Sequence, residues 1–256
     1  MTQTESEKAM PDREAIRLSV VVPVKNEAGN IAPLVVEIVA ACAPLRPFEI
    51  VYVDDGSTDG TPAALAAARA RHPELRVLRH RESCGQSAAV RTGVLAARGE
   101  LVATLDGDGQ NDPAFIPALV AVLTEAGPQA GLAQGQRIGR KDGRLKTIQS
   151  RIANGVRGRI LQDATRDTGC GLKVFRRAVY LRLPYFDALH RFMPALVARE
   201  GFFVVHADVV DRPRFTGRSN YGLFDRLWVG ILDLAGVWWL IRRRRRVPQV
   251  EQGGME

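Results

Sequence analysis

Cysteine is scarce in this sequence of 256 residues, which contains only Cys42, Cys84 and Cys170. The three are far apart, odd in number and without a CxxC spacing, so the sequence predicts neither a disulfide framework nor a zinc knuckle. Glycines flank Cys170, which favours a close approach of backbone at that point over a reactive thiol. This cysteine usage fits a protein of the reducing cytosol.

Several common phosphate- and calcium-binding motifs are also missing. The sequence has no Walker lysine motif, and no glycine fingerprint of the dinucleotide type follows the first predicted strand. A calcium loop of the EF-hand type needs a bidentate glutamate at its twelfth position. That position is Pro117 when counted from Asp106 and Ala66 when counted from Asp55, which excludes such loops. Any bound phosphate must therefore be held largely through a metal ion and basic side chains.

No secretory signal is predicted, because residues 1–17 are polar with charges of both signs and the apolar run Leu18–Val22 is too short. We therefore expect the chain to start in the cytoplasm. The net charge of +8 and the pI of about 9.9 favour an anionic partner such as a nucleotide, nucleic acid or a membrane surface. We expect no nucleic-acid partner, since the basic residues lie in loops and a tail without interleaved aromatic residues.

Apolar strands alternate with helix patterns along the first half of the chain. Hydrophobic residues make up 46% of the sequence and charged residues 25%, which is typical of a folded globular domain. Strands joined by single helices require a mostly parallel sheet, with ligands at the carboxyl ends of the strands. The pattern loosens from Ala126, and the remaining chain is predicted to complete the same domain. The predicted strands are Leu18–Val22, Ile50–Val53, Leu75–Leu78 and Leu101–Leu105, and the predicted helices follow Asn26 and Gly85 and span Thr61–Arg71 and Pro113–Glu125.

Two of the predicted strands run directly into acidic turns. Aspartate and glycine also make turns and helix caps, which is an alternative interpretation of each turn alone. An Asp-x-Asp at the end of a strand, however, places two hard oxygens where Mg²⁺ or Mn²⁺ can bridge them to a diphosphate. A sugar nucleotide is therefore the natural candidate ligand. The segment EIVYVDDGSTDGT carries Asp54 and Asp55, and LVATLDGDGQNDP carries Asp106, Asp108, Gln110 and Asp112.

A run of basic residues follows the second acidic turn. These residues could form no more than a solvated face. As a group, however, they give a basic approach to the predicted cation site, and guanidinium forks match phosphate geometry. We therefore interpret the run as a phosphate-capturing surface. It comprises Arg137, Arg140, Lys141, Arg144, Lys146, Arg151, Arg157 and Arg159.

Five segments, in order and spacing, resemble family 2 glycosyltransferases of the dolichyl-phosphate mannose synthase type. They are VVPVKNEAGNI, VDDGSTDGT, LDGDGQNDP, DTGCGLKVFRR and RPRFTGRSNYG, and the resemblance runs from about Leu18 to Trp239. It implies an α/β protein with a GT-A fold, in which helices cover both faces of a mostly parallel twisted sheet. It also implies transfer of a sugar from a nucleotide to a polyprenyl phosphate, dolichyl or undecaprenyl, at the cytoplasmic face of the membrane. The alternative is a GT-A transferase that acts on another lipid or on a polysaccharide.

The resemblance also implies roles for individual residues. Pro23, Glu27 and Asp54, with Asp55 close by, fall where the family cradles the base and ribose, and Asp106, Asp108 and Gln110 fall on its metal-binding positions. Arg137, Arg151 and Arg214 fall among the residues that hold the lipid phosphate or the donor diphosphate. Asp167 is expected to order Arg151 or its neighbours, or to approach the sugar, and it joins Asp106, Asp108 and Arg151 as a predicted catalytic residue. Lys25 and Asn220 depart from the family pattern, which leaves the identity of the donor, GDP-linked or UDP-linked, open.

No histidine is predicted to be catalytic. None of His72, His80, His190 and His206 has metal-ligand spacing or a visible nucleophile partner. A polyprenyl phosphate is already ionised at neutral pH and needs no general base. A single in-line displacement by that phosphate predicts inversion at the anomeric carbon.

A long apolar segment, Leu223–Ile241, lies near the end of the chain and precedes the five arginines Arg242–Arg246. Asp225, Arg226 and Asp233 fall within roughly one quarter of a helical wheel, which predicts an amphipathic helix rather than a membrane span. We expect its charged side to face water and its tryptophans and arginines to meet anionic lipid, so that the enzyme is peripheral. A core helix with a solvated tail is the alternative. The predicted organisation is a flexible tail over 1–17, the catalytic domain over 18–221, the helix and basic run over 222–246, and a tail over 247–256.

Overall fold

The fold is built on a seven-stranded sheet. The computed structural model describes residues 15–138, 155, 157–161, 165–212 and 223–243. The strand order is β3-β2-β1-β4-β6-β5-β7, and only β6 runs antiparallel to its neighbours. The strands are β1 Leu18–Val24, β2 Phe48–Asp54, β3 Leu75–Arg79, β4 Leu101–Thr104, β5 Ala130–Arg137, β6 Lys173–Arg176 and β7 Phe203–Val209.

Helices cover both faces of this sheet. One face buries an apolar cluster between the strands and α1, α2 and α4, and the other buries a second cluster between the strands and α3, α5, α6 and α7. This arrangement confirms the predicted α/β sheet with helices on both faces. The helices are α1 Ala28–Cys42, α2 Thr61–Arg71, α3 Gln86–Ala96, α4 Ile116–Glu125, α5 Arg177–Tyr180, α6 Leu189–Arg199 and α7 Leu223–Arg242.

The first half of the chain follows the predicted alternation, with small differences at the ends of elements. Helix α2 has the predicted bounds. The predicted helix Pro113–Glu125 divides into a 3₁₀ turn over Pro113–Phe115 and the α-helix α4, because Asp112 caps the turn by accepting a hydrogen bond from the Ala114 amide at 2.9 Å. The strand predicted to end at Leu105 ends at Thr104.

Helix α1 and the 3₁₀ turn that follows it span Ala28–Leu45, which is long and apolar enough to cross a membrane, with a mean hydropathy of 1.7. One side of it packs against the sheet, however, where Ile31, Leu34, Val35 and Ile38 are fully buried, whereas Val36 on the other side is 56% exposed. A core helix of a folded domain passes the same test of length and composition. The packing of α1 identifies it as such a core helix.

Strands β5, β6 and β7 lie after Ala126, where the alternation of predicted strands and helices is no longer regular. The sequence of β5, AGLAQGQR, contains glycine and glutamine at positions that are nevertheless almost completely buried. Gln134 is fully buried and donates hydrogen bonds to backbone carbonyls, including that of Gly135 at 3.1 Å. Because glutamine and glycine are depleted in strands, local propensity predicts no strand here. Pairing with β6 and β7 decides the outcome.

Helix α7 buries one side against α6. Val237 is buried there, together with the partly buried Leu234, whereas Leu232 is 70% and Trp239 is 51% exposed. Asp233, which is predicted to face water, is half-buried: one of its carboxylate oxygens is buried and has no hydrogen-bond partner among the described residues, and burial raises the pKa of this group. The side chains of Asp225 and Arg226 lie outside the described ones, so the amphipathic arrangement stays a prediction.

Arg17 belongs to the folded region, although residues 1–17 were predicted to be a tail. Its backbone amide donates to the Pro47 carbonyl at 3.0 Å, and its carbonyl accepts from the Leu101 amide at 3.1 Å. Arg17 therefore bonds to the chain on both sides of β1, just before β2 and at the start of β4, one residue before β1 begins. The remaining predicted domain boundaries fall on residues outside the described ones.

Candidate active site at the carboxyl edge of the sheet

The predicted site residues converge at one edge of the sheet. The carboxyl ends of the parallel strands β1, β2, β4, β5 and β7 meet there, and so does the beginning of the antiparallel β6. Val24 and Asp54 are paired in register, Thr104 lies opposite Lys173, and Arg137 ends β5 beside Val209. Segments far apart in the sequence therefore deliver charged groups to one place.

The loop after β4 carries the predicted cation ligands. The carboxylate of Asp108 accepts a hydrogen bond from the Gln110 amide at 3.0 Å, and the Asp106 amide donates to Oδ1 of Asn111 at 3.0 Å. Asp112 caps the following 3₁₀ turn and does not take part in the Asp106–Asp108 pair. The loop is thus tightly turned on itself, which fixes the two carboxylates relative to β4.

Asp106 lies in a crowded and negatively charged environment. Its Oδ1 accepts a hydrogen bond from Nε2 of Gln86 at 2.7 Å, and its Oδ2 lies so close to Gly171 that a Cβ there would be 2.4 Å away. Burial, and next the charge of Asp108, raise the pKa of Asp106 to about 6, although Lys173 and Arg137 oppose this shift. A carboxyl group of this kind is stabilised by a cation placed beside it.

Carboxylates gather around Asp106. Among the described residues, Asp106 interacts with the carboxylates of Asp108 and Asp211 and with the cations Lys173 and Arg137, and Arg137 also pairs with Asp167. Asp106 and Asp108 offer carboxylate oxygens, which are hard ligands suited to Mg²⁺ or Mn²⁺. The residues present therefore fit the predicted cation at Asp106 and Asp108.

A second group of potential metal ligands lies nearby and fits a cation less well. Ligand atoms of Asp55, His80 and Cys84 lie within 4.8 Å of one another. Asp55 already accepts hydrogen bonds from the Cys84 and Gly85 amides at 2.8 and 2.9 Å and from the Ser83 hydroxyl at 2.7 Å. His80 contacts Asp55 through Nδ1 and Thr92 through Nε2, at 2.7 and 2.9 Å. The oxygens of Asp55 and the ring nitrogens of His80, which a cation would need, are thus engaged within the protein.

Asp55 therefore organises the loop before α3. Burial alone would raise its pKa, but hydrogen bonds from Cys84, His80, Ser83 and Gly85 hold the pKa below its usual value. The Ser83 hydroxyl also accepts a hydrogen bond from the Lys25 amine at 2.9 Å. The same loop leads directly to Gln86, so the two acidic turns are connected through it.

The predicted nucleotide-binding residues lie on two loops that bind each other. The Glu27 amide donates to the Thr61 hydroxyl at 2.8 Å, and the Asn26 amide donates to the Ser57 hydroxyl at 2.9 Å. Asp54 is 1% exposed and accepts from the Ser57 amide at 2.9 Å. Pro23 lies in β1 beside these loops. The structure thus brings Pro23, Glu27 and Asp54 together at the ends of β1 and β2.

Arg137 is engaged in ion pairs rather than open to a ligand. Its guanidinium binds Asp167 through two hydrogen bonds, of 2.5 and 2.9 Å, and Asp211 through one of 3.2 Å. Burial opposes the charge, but these carboxylates raise the pKa of Arg137. Asp167, predicted to order Arg151 or its neighbours, thus orders Arg137. Arg151 and Arg214 lie outside the described residues.

The remaining basic run is mostly outside the described residues as well. Arg157 is an exception: it is 9% exposed and donates to the Thr165 carbonyl at 2.8 Å. It therefore does not belong to an exposed phosphate-capturing surface. Arg159, by contrast, is exposed. The interpretation of the run as one surface is wrong for Arg157, because a helix turns successive side chains to different sides.

Several residues of this site were not found from the sequence. Gly171 and Lys173 lie inside the segment DTGCGLKVFRR, where the close approach expected from its glycines is observed at Asp106. Nothing in the sequence marks Gln86 as a site residue, because it lies within a predicted helix. Asp211 follows a strand that was not predicted, and it anchors the cation loop through Asn111, whose Nδ2 donates to it at 3.3 Å.

His190 of α6 contacts α3. Its Nδ1 lies 2.7 Å from the Ser87 hydroxyl, and burial, with Lys173 and Arg191, lowers its pKa to about 3. It is therefore neutral at physiological pH.

Comparison with known proteins agrees with this geometry. Residues 19–183, more than half of the chain, match the model of the family Glycosyl transferase family 2. The chain is 38% identical over 239 residues to a dodecaprenyl-phosphate galacturonate synthase of Rhizobium johnstonii, covering 91% of this chain and 70% of that protein. It is 35% identical over 211 residues to an undecaprenyl-phosphate 4-deoxy-4-formamido-L-arabinose transferase of Serratia proteamaculans, covering 81% and 63%. About a third of each relative thus lies beyond the matched length.

A solved structure shares the fold. The mannosyltransferase PcManGT from Pyrobaculum calidifontis, in complex with GDP-Man and Mn²⁺, superposes with a TM-score of 0.65 at 23% identity, covering 92% of this chain and 67% of that one. The predicted GT-A fold is thereby confirmed. Together with the family match, the order of the strands and the acidic turns at their ends show that the chain belongs to glycosyl transferase family 2.

Proposed function

We propose that this chain transfers a sugar from a nucleotide sugar to a polyprenyl phosphate, with Mg²⁺ or Mn²⁺ held by Asp106 and Asp108. The pair of carboxylates of Asp106 and Asp108, in the tight loop after β4 at the carboxyl edge of the sheet, supports this proposal most directly. The two curated relatives described above are named for dodecaprenyl and undecaprenyl phosphate acceptors. Their sugars differ, which leaves the donor sugar, and a GDP- or UDP-linked nucleotide, to be tested.

The chain's own residues prepare the site for this reaction. The cation, when bound, neutralises the charge that develops on the leaving diphosphate. Gln86 and Asn111 orient Asp106 by hydrogen bonds of 2.7 and 3.0 Å. Gln110 lies in the same turn as a third oxygen ligand, and Pro23, Glu27 and Asp54 hold the base and ribose. Because these groups are already ordered, no free energy is needed to order them during the reaction.

The acceptor phosphate attacks without help from a base. It is ionised at neutral pH, and the described histidines His80 and His190 are engaged with Asp55 and Ser87. Arg151 and Arg214 are proposed to hold this phosphate. Arg137 is proposed to support them indirectly, by fixing Asp167 and Asp211. A single displacement then inverts the anomeric configuration, and NMR assignment of a product that retains it would count against this mechanism.

The activity test is incubation with labelled GDP- and UDP-linked sugars, including UDP-galacturonate, and undecaprenyl phosphate, followed by lipid extraction. We expect a labelled lipid that requires Mg²⁺ or Mn²⁺. Asp108→Ala should lower turnover by orders of magnitude with little change in thermal unfolding. Asp112→Ala is the matched control, since Asp112 only caps the adjacent 3₁₀ turn. Full activity of Asp108→Ala in EDTA would refute the cation site, and transfer only to a diacylglycerol or a polysaccharide would favour the alternative acceptor class.

We further propose that the outward side of α7 docks the enzyme peripherally on the anionic cytoplasmic face of the membrane. Leu232, Trp238 and Trp239 are exposed on the described part of the helix. The guanidinium groups of Arg242 and Arg243 stack over Trp238 and Trp239, with their carbons 4.0 and 5.2 Å from the ring centroids. Tryptophan and arginine side by side suit the interface between lipid headgroups and acyl chains.

Flotation with anionic liposomes tests this docking surface. Trp238→Ala/Trp239→Ala should float much less than the unchanged protein, because it loses the apolar contact without disturbing the buried Val237. Leu95→Ala is the matched control, since Leu95 is 53% exposed on α3. Equal flotation of all three proteins would refute the proposal. Resistance of the unchanged protein to both high salt and carbonate would refute peripheral attachment.

A further inference from the structure

A lysine is buried where the sheet leads into the loop after β4. Lys173 begins β6, is 3% exposed, and lies between Gln134 of β5 and Thr104 of β4, two residues before Asp106. Gly171, two residues before Lys173, approaches Asp106 so closely that a Cβ there would lie 2.4 Å from its Oδ2. Among the described residues its amine donates to the Cys170 carbonyl alone. Removing a lysine from water is costly unless its charge is compensated. An amine with one neutral acceptor must therefore be compensated by charge rather than by hydrogen bonds.

The opposite charges near it are the carboxylates of the site. Burial, together with Arg137, lowers the pKa of Lys173, whereas the carboxylates of Asp106 and Asp167 favour its protonated form. Conversely, the charges of Lys173 and Arg137 act against the raised pKa of Asp106. The mechanism described above makes no use of this lysine. Its charge nevertheless acts at the position where a divalent cation would bind.

Such a charge has opposite effects on the two ligands of the site. It repels a divalent cation and attracts a diphosphate, and both interactions are strong because little water screens them. We propose that Lys173 is a positioning residue that weakens binding of the divalent cation to the free enzyme and strengthens binding of the nucleoside diphosphate. The cation is then held firmly only together with the nucleotide. This inference rests on the proposed cation site at Asp106 and Asp108.

The test compares Lys173→Met, which keeps the length and removes the charge, with Lys173→Arg, which keeps the charge. Binding of Mn²⁺ without nucleotide is measured by electron paramagnetic resonance, and binding of UDP and GDP in EDTA by calorimetry. For Lys173→Met we expect Mn²⁺ to bind about tenfold tighter and the nucleotide several-fold more weakly. Lys173→Arg should resemble the unchanged protein in both measurements. Arg98→Gln is the control for net charge, because exposed Arg98 precedes β4 at the opposite end of the sheet.

The affinities for Mn²⁺ and for the nucleotide are expected to change in opposite directions, which distinguishes this role from a purely structural one. A pocket merely damaged by the substitution would lose affinity for Mn²⁺ and nucleotide together, and that result, or unchanged affinities, would overturn the proposal. Thermal unfolding establishes that each variant is folded. Asp108→Ala in the same Mn²⁺ titration tests the underlying site: if it binds Mn²⁺ as the unchanged protein does, the proposed cation site fails. If Asp108→Ala loses Mn²⁺ while Lys173→Met is unaltered, only the role of Lys173 fails.

Discussion

Replacing Gly171 by alanine would perturb the cation site through a single methyl group. The Cβ of that alanine would lie 2.4 Å from Oδ2 of Asp106 and 2.6 Å from Oδ1 of Asn111, whereas ordinary contacts begin at 3.4 Å. The backbone of Gly171 is not in the left-handed region, so alanine causes no strain of its own there. The added methyl group would therefore displace the side chains of Asp106 and Asn111, which shape the loop after β4.

The size of the effect follows from these distances. The Asp106 carboxylate must retreat by about 1 Å to restore ordinary contact. A displacement of about 1 Å at a catalytic group can cost about a hundredfold in rate. Overpacking of this kind also destabilises a fold by about 1–3 kcal/mol, which a folded domain usually survives. We therefore expect a folded protein with turnover reduced about a hundredfold and weaker binding of Mn²⁺.

The assay combines lipid-linked sugar formation, Mn²⁺ binding by electron paramagnetic resonance and urea unfolding. Gly60→Ala serves as the control, because the nearest atom to its added Cβ is that of Ala28 at an ordinary 3.5 Å. It should retain activity within about twofold, as expected for a site without steric conflict. A Gly171→Ala protein with full turnover and unchanged Mn²⁺ affinity would show that the carboxylate of Asp106 need not occupy its present position.

Two further predictions concern charge. Asp106 has a folded-state pKa of about 6 against 3.8 for its ordinary value, so the folded, cation-free protein binds this proton more tightly than the unfolded chain and gains stability as the pH falls from 7 toward 4. Asp106→Asn should therefore be more stable than the unchanged protein at pH 7, by up to about 3 kcal/mol, and this difference should vanish near pH 4. Urea unfolding at several pH values in EDTA measures the difference. A difference that does not depend on pH would contradict the raised pKa of Asp106. Asp211→Asn should lower the free energy of unfolding by about 1–3 kcal/mol, because it removes one carboxylate from Arg137 and weakens the anchor of Asn111; Asp208→Asn, at a more exposed ion pair with Arg166, should change it by less than about 0.5 kcal/mol, and equal effects of the two would argue against a special role for Asp211.

The sequence alone determined the elements of the first half of the chain and the position of the acidic turns. Apolar runs such as Leu18–Val22 and Ile50–Val53 identify buried strands, because a strand covered on both faces must be apolar throughout. Alternation with helices then implies parallel strands, whose carboxyl ends share an edge. The sequence therefore predicts Asp54, Asp106 and Asp108 at one site.

The tertiary structure decided which charges meet at that site. Arg137 pairs with Asp167 and Asp211, which are 30 and 74 residues away along the chain. Lys173 comes to lie opposite Thr104, two residues before Asp106, only because β6 inserts between β4 and β5. Strand β5, with its glutamines and glycines, likewise follows from pairing with its neighbours. Local periodicity reports which side of an element is apolar, but long-range ion pairs depend on strand order and register, which no local pattern specifies.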